Sequence, residues 1–215
     1  MLKKIVIATY LFSSYLFSSD VLTGDTKLSC EAILCLSSST RPSECSPSLS
    51  KYFSISHKHW SDTVKARGNF LKLCPVGSEA EKDREFINLR DNIIVNLKTG
   101  CDLDQLNVVH SNHIFDGENT NIFLQISPNL TKSCKALASS SYTDIRPVYT
   151  CDPNKWYKEE DWRNGYEKVA VKTISRNEYN KLSQKEKSLY ESNGFRNYTL
   201  YERKEINKNC WIWQK

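Results

Sequence analysis

Eight cysteines, at positions 30, 35, 45, 74, 101, 134, 151 and 210, are spread through this 215-residue chain and constrain it more than any other feature. What they mean depends on the compartment. The chain opens MLKKIVIATYLFSSYLFSSD, in which Lys3 and Lys4 precede an apolar run from Ile5 to Phe17 and the small residues Ser18 and Ser19 follow. That is the layout of a secretory signal peptide. The run is shorter than the ~20 apolar residues a membrane span requires, and Ser13 and Ser14 interrupt it. The expectation is a leader over residues 1–19, cleaved near Ser18 or Ser19, and a periplasmic product with no integral membrane span. An even cysteine count in an exported chain reads as a disulfide framework. Cys30, Cys35, Cys45, Cys74, Cys101, Cys134, Cys151 and Cys210 are therefore expected to form four bonds and leave no free thiol.

Metal binding is the competing use of cysteine, and it calls for close spacings such as CxxC. No two of the eight stand that way, which argues against zinc and against a thioredoxin-like redox pair. Cys30 and Cys35 are five apart, about 140° round a helix axis, so on a helix they face different elements. Eight cysteines allow roughly a hundred pairings, and spacing does not choose among them.

Hydrophobic residues make up 39% of the chain, enough for one core but lean, so the cross-links have work to do. The formal charge of +5 includes Lys3 and Lys4. A mature chain of +3 is too balanced for nucleic acid or for a membrane surface.

Residues 20–110 read as helices. A short one surrounds Cys30 and Cys35 and breaks at Ser37 to Thr40. A second runs from about Pro42 to Ile55, with proline in its first turn. A third begins at Ser61 as N-cap and ends before Pro75; Gly68 inside it costs up to about 1 kcal/mol unless a neighbour approaches closely. A fourth has Ser78 and Glu81 as a capping box, Phe86, Leu89, Ile93, Ile94 and Leu97 at helical spacing, and Gly100 at its end, predicting a long amphipathic helix of about five turns. Residues 111–165 read as irregular apart from a buried strand at 121–127. Residues 166–215 alternate as strand, two short helices opened by Ser175 with Glu178 and Ser183 with Glu186, and strand again. The terminal CWIW is expected to pack over that sheet. The class is α+β: a mainly helical, cross-linked N-terminal portion with a small strand-helix-strand C-terminal portion, in a single domain spanning 20–215.

Reactive constellations are few. His57 and His59 lie in a helix-to-helix turn and read as surface residues, whereas His110 and His113 form a loose i, i+3 pair suited to a helix face. Asp102, Asp104 and Asp116 with Gly117 lack the regular spacing of a calcium loop. No GxSxG marks a serine nucleophile. Glu159, Glu160 and Asp161, flanked by Trp156, Tyr157 and Trp162, raise a glycan-cleaving or sugar-binding possibility, although consecutive carboxylates on a helix point in different directions. No catalytic residue, cofactor or metal ligand is assigned.

The stretch LSCEAILCLSSSTRPSECSPSLSKYFSI at 28–55, followed by WSDTVKARGNFLKLCPV at 60–76, resembles the TrbM family of conjugal-transfer proteins. Cys30, Cys35, Arg41, Pro42, Cys45, Leu73, Cys74 and Pro75 carry the resemblance. It implies an exported, periplasmic component of a mating-pair-formation or type IV secretion system, with proteins of that apparatus as partners. Two pairings are expected: Cys30 with Cys74, clamping the first and third helices, and Cys151 with Cys210, closing the C-terminal unit. The leading expectation is a non-enzymatic interaction protein, with Trp156, Tyr157 and Trp162 as candidate partner contacts and core packing as the alternative role for these aromatics. A periplasmic glycan-acting enzyme and a secreted disulfide-rich inhibitor or toxin are the alternatives.

Overall fold

The computed structural model describes residues 22–194 and 196–214. The expected leader lies outside them. All eight cysteines lie within them and are bonded: Cys30 to Cys74, Cys35 to Cys45, Cys101 to Cys134 and Cys151 to Cys210. Both expected pairings are present, and Cys30 and Cys35 reach different elements, as their spacing required.

Helix α1 spans Gly24–Ser37, longer than its cysteines alone indicated, and buries Ser29, Ala32, Ile33 and Leu36 along one stripe. Helix α2 is Cys45–Ser54 and α3 is Trp60–Leu71. Pro42 precedes α2, in a turn closed by the Cys45 amide donating to its carbonyl. Ser61 is not the cap of α3; His59 holds that position, and the Thr63 hydroxyl accepts the His57 N–H instead.

The expected long fourth helix is interrupted. Its α-helical start, α4, is Arg84–Asn88, then the winding widens to a π turn over Leu89–Ile93 and tightens to a 3₁₀ turn over Ile94–Asn96. Leu89 and Arg90 are buried, and so are Ile94 and Val95, five residues on. A wide turn brings pairs at that spacing onto one side, where a 3.6-residue period does not. The expected cap is also replaced: Glu81 is drawn to the guanidinium of Arg90 at 2.7 Å, and Asp83 caps α4 by accepting from the Glu85 and Phe86 amides. Segment and core meet at Leu97, before Gly100.

Residues 111–165 are more regular than their sequence indicated. After a short helix α5, Leu103–Leu106, strands β1 (Val109–Phe115) and β2 (Thr120–Ile126) form an antiparallel hairpin. Every residue of β1 is exposed, so it carries no buried face to announce itself. Helix α6, Lys132–Ala138, is capped by Thr131. Strand β3 is Pro147–Tyr149, β4 (Tyr157–Lys158) adds to the free edge of β2, and α7 is Glu159–Asn164.

From Tyr166 the chain leaves this core as a small arm. Strand β5 (Tyr166–Ser175), two short helices α8 (Arg176–Asn180) and α9 (Gln184–Lys187), β6 (Tyr190–Ser192) and β7 (Asn197–Glu205) build a sheet of order β5-β7-β6. Both expected capping boxes are formed. The Ile206 amide donates to the Gly165 carbonyl, so the two ends of this arm meet. The terminal strand β8, Trp211–Trp213, does not cover the arm's sheet. It pairs with β3, and Trp211 is held by Asn107 at its backbone and by the Ser127 carbonyl at its indole. That returns the tail to the core, where the Cys151–Cys210 bond fixes it.

Candidate functional site

A broad, open concavity runs along α2. Two adjoining cavities, of about 750 and 620 Å³, share Phe53, Gly100 and Gln105. The first is lined by Arg41, Leu49, Ser46, Ser50, Ser54 and Asp102, and the second by Ser56, Trp60, Arg67, Lys98 and Thr99. Together they make one groove from Arg41 to Trp60. Ser46, Ser50 and Ser54 repeat every four residues, which sets three hydroxyls on one face of α2. Leu49 and Phe53 add apolar surface beside them.

At one end, Arg41 ties three segments together. Its Nε donates to the Cys35 carbonyl at 2.9 Å, Nη1 donates to Asp102, and Nη2 is buried without a partner among the described residues. Gly100 makes this possible: a Cβ there would stand 2.7 Å from Arg41 Nη1 and 2.8 Å from Asp102 Oδ2. Its role is close approach rather than the helix ending the sequence indicated.

The other end is built on Arg67, only 4% exposed. Its Nη1 donates to the Leu97 carbonyl at 2.6 Å and its Nε to the Ile55 carbonyl at 3.1 Å, joining α3 to the ends of two other segments. The guanidinium lies 4.5 Å from the Tyr52 ring centre and 5.5 Å from those of Phe53 and Trp60. Carbonyl oxygens and aromatic faces stabilise this buried cation in place of a carboxylate. Tyr52, fully buried, donates its O–H to the Ile94 carbonyl. Burial pushes its pKa up to about 12, against the opposing pull of the Arg67 charge. Trp60 is 41% exposed and has Lys98 5.6 Å from its ring centre on the solvent side of the cluster. The groove thus presents hydroxyls, a primary amide, aromatic surface and a cation.

The groove is absent from the sequence reading, although two signals for it exist. The serine period along α2 is visible, and Arg67 falls on the apolar stripe of α3 with Thr63, Phe70 and Leu71. The aromatic trio fares differently. Trp156 is 38% exposed, Tyr157 is half-buried with its ring 5.9 Å from that of Trp162, and Trp162 is a core residue at 7%. Trp162 is therefore corrected from candidate contact to packing. Glu159, Glu160 and Asp161 fill the first turn of α7, and Glu159 pairs with Arg163 at 2.7 Å. They sit where a helix N-terminus favours carboxylates.

His57 and His59 are exposed in the α2–α3 turn. His110 and His113 lie on β1 rather than a helix, and three residues along a strand turns them to opposite faces. Asp116 accepts the amides of Glu118 and Asn119 and the side chain of Asn121, bonds that close the β1–β2 turn and hold its carboxyl below the usual range. Among the described residues no group of three or more His, Cys, Asp or Glu is placed to hold a metal ion. Among them, too, no helix is long and apolar enough to cross a membrane.

No curated protein and no solved structure matches the chain. The TrbM family model does, over residues 21–178, a span that contains α1 to α7, the whole α2 groove and seven of the eight disulfide cysteines, all but Cys210. On that match the chain belongs to the TrbM family of conjugal-transfer proteins.

Proposed function

We propose that this protein is an exported, periplasmic component of a conjugative mating-pair-formation or type IV secretion apparatus, and that it acts without catalysis, by holding an extended segment of another apparatus protein in the α2 groove. The observation that carries this reading is the groove's composition and position. It lies inside the family-matched residues and runs the length of α2, about 15 Å for ten residues. Serine hydroxyls and the Gln105 amide suit the donors and acceptors of an extended main chain. Phe53 and Trp60 offer the aromatic contact typical of binding hot spots. Disulfides throughout the core support an oxidising destination.

In-frame deletion of the gene in a donor strain tests the proposal, with DNA transfer frequency and a peptidoglycan zymogram of periplasmic extract as paired readouts. The expected result is reduced transfer, restored by the intact gene, and an unchanged zymogram. Unaltered transfer overturns the apparatus role. Loss of a glycan-cleaving band restored with the gene overturns the non-enzymatic part.

A further inference from the structure

We propose that the outer end of the β5-β7-β6 arm is a carboxylate-binding pocket that receives an acidic segment of a partner protein. The arm, residues 166–205, carries nine basic and six acidic residues. The remainder of a chain beginning at residue 20 carries nineteen of each, so the whole net charge of +3 resides on the arm. Four of its six glutamates have partners, Glu167 being paired with Lys155. Glu178 and Glu186 are held by the Ser175 and Ser183 caps, and Glu191 pairs with Lys168. Bonds from those caps hold the Glu178 and Glu186 carboxyls below the usual range, keeping them ionised and fixed in place.

Arg176 and Arg196 are brought side by side where β5 ends and β7 begins, with the Arg176 amide donating to the Arg196 carbonyl at 2.8 Å. Both line a cavity of about 680 Å³ with Ser175, Asn177 and Asn197. Among the described residues neither guanidinium forms an ion pair or a side-chain hydrogen bond. Two planar guanidinium forks beside two primary amides match carboxylate geometry. A concave pocket favours a protruding side chain over a flat bilayer, and a surplus of three charges is small for a nucleic acid contact. The inference stands apart from the α2 groove, which it does not use.

The test is fluorescence anisotropy on the full, oxidised chain with a labelled peptide alternating Asp or Glu with Gly or Ser. Controls are its Asn/Gln counterpart, inorganic phosphate and phosphatidylglycerol vesicles. The acidic peptide is expected to bind and its neutral counterpart not. The double variant R176Q/R196Q should weaken binding by at least about tenfold, while K181Q/K185Q, which removes equal charge elsewhere on the arm, leaves it near the starting value. R176K/R196K keeps the charge and loses the forks, so it too should bind more weakly than the parent protein. Equal weakening by the lysine pair, full binding by R176K/R196K, binding of phosphate or vesicles in place of the peptide, or no peptide binding at all each overturns the proposal.

Discussion

The core and the arm of this protein are held together in different ways. All four disulfides lie outside residues 166–205, and Ile174 is the one arm residue among the buried apolar side chains of the described chain. The core closes long loops covalently and satisfies two buried arginines, Arg67 and Arg90, with fixed partners. The arm relies on two capping boxes, a Tyr179–Tyr198 stack at 3.6 Å and a Thr173–Thr199 hydrogen bond. The family match stops at residue 178, within the arm, although the chain later returns to the core at β8. A covalently closed core with adjacent exits at Gly165 and Ile206 tolerates change in what is attached there. On the two proposals above, the apparatus role rests with the core and the preference for an acidic partner with the arm.

The largest effect should come from opening the core. Replacing Cys30 and Cys74 by Ala removes a 44-residue closure, worth about 4 kcal/mol by loop entropy. Removing the 10-residue Cys35–Cys45 closure should cost less, about 3 kcal/mol. Denaturant titration compares them. Exchanging residues 167–204 for a short glycine-rich turn should leave the core transition in place, and a core that melts with the arm removed breaks the comparison.

Next is Arg67→Ala, which strands the Leu97 and Ile55 carbonyls and empties a buried volume. A loss of about 3 kcal/mol is expected, together with hydrogen-exchange opening at residues 52–56 and 94–98.

Acid should loosen both regions through different carboxylates. In the core, the Tyr142 hydroxyl holds the Asp83 carboxyl below its usual range, and Arg90 does the same for Glu81 and Asp91. Lowered folded values mean stabilisation that is present above about pH 4 and lost as pH falls through them. Exchange protection of residues 84–96 should therefore hold from neutrality down to that point and decline below it.

The smaller effects are local. Ser175→Ala should cost about 1 kcal/mol of cap stability, seen in exchange at α8 and absent from the core. Gly68→Ala has the opposite sign. An added Cβ would meet Val95 at 3.7 Å, an ordinary contact, so a gain of roughly 0.5 kcal/mol is expected.

Legibility followed the type of signal. The disulfide framework and both arm capping boxes were readable because each depends on local spacing or on a count. The fourth helix misled because Leu89, Arg90, Ile94 and Val95 bury at a five-residue period, which a search for 3.6 blurs into a plain amphipathic pattern. Strand β1 was hidden because a fully exposed strand has no apolar alternation. Trp162 was misplaced because an aromatic among carboxylates looks like surface until Tyr157 and the core are seen around it. The groove needs Arg41, Phe53, Trp60 and Gln105 from four separate segments, and only the folded chain brings them together.

The central claim is that the α2 groove carries the role in transfer. Ser50 is exposed on the groove-lining face of α2, so Ser50→Trp fills the groove without removing a core contact. The decisive measurement is DNA transfer frequency in a deletion strain supplied with this variant, after peptide mapping has confirmed its four disulfides. Transfer near the level of the deletion strain is predicted. Full restoration of transfer by the folded Ser50→Trp protein would contradict the account.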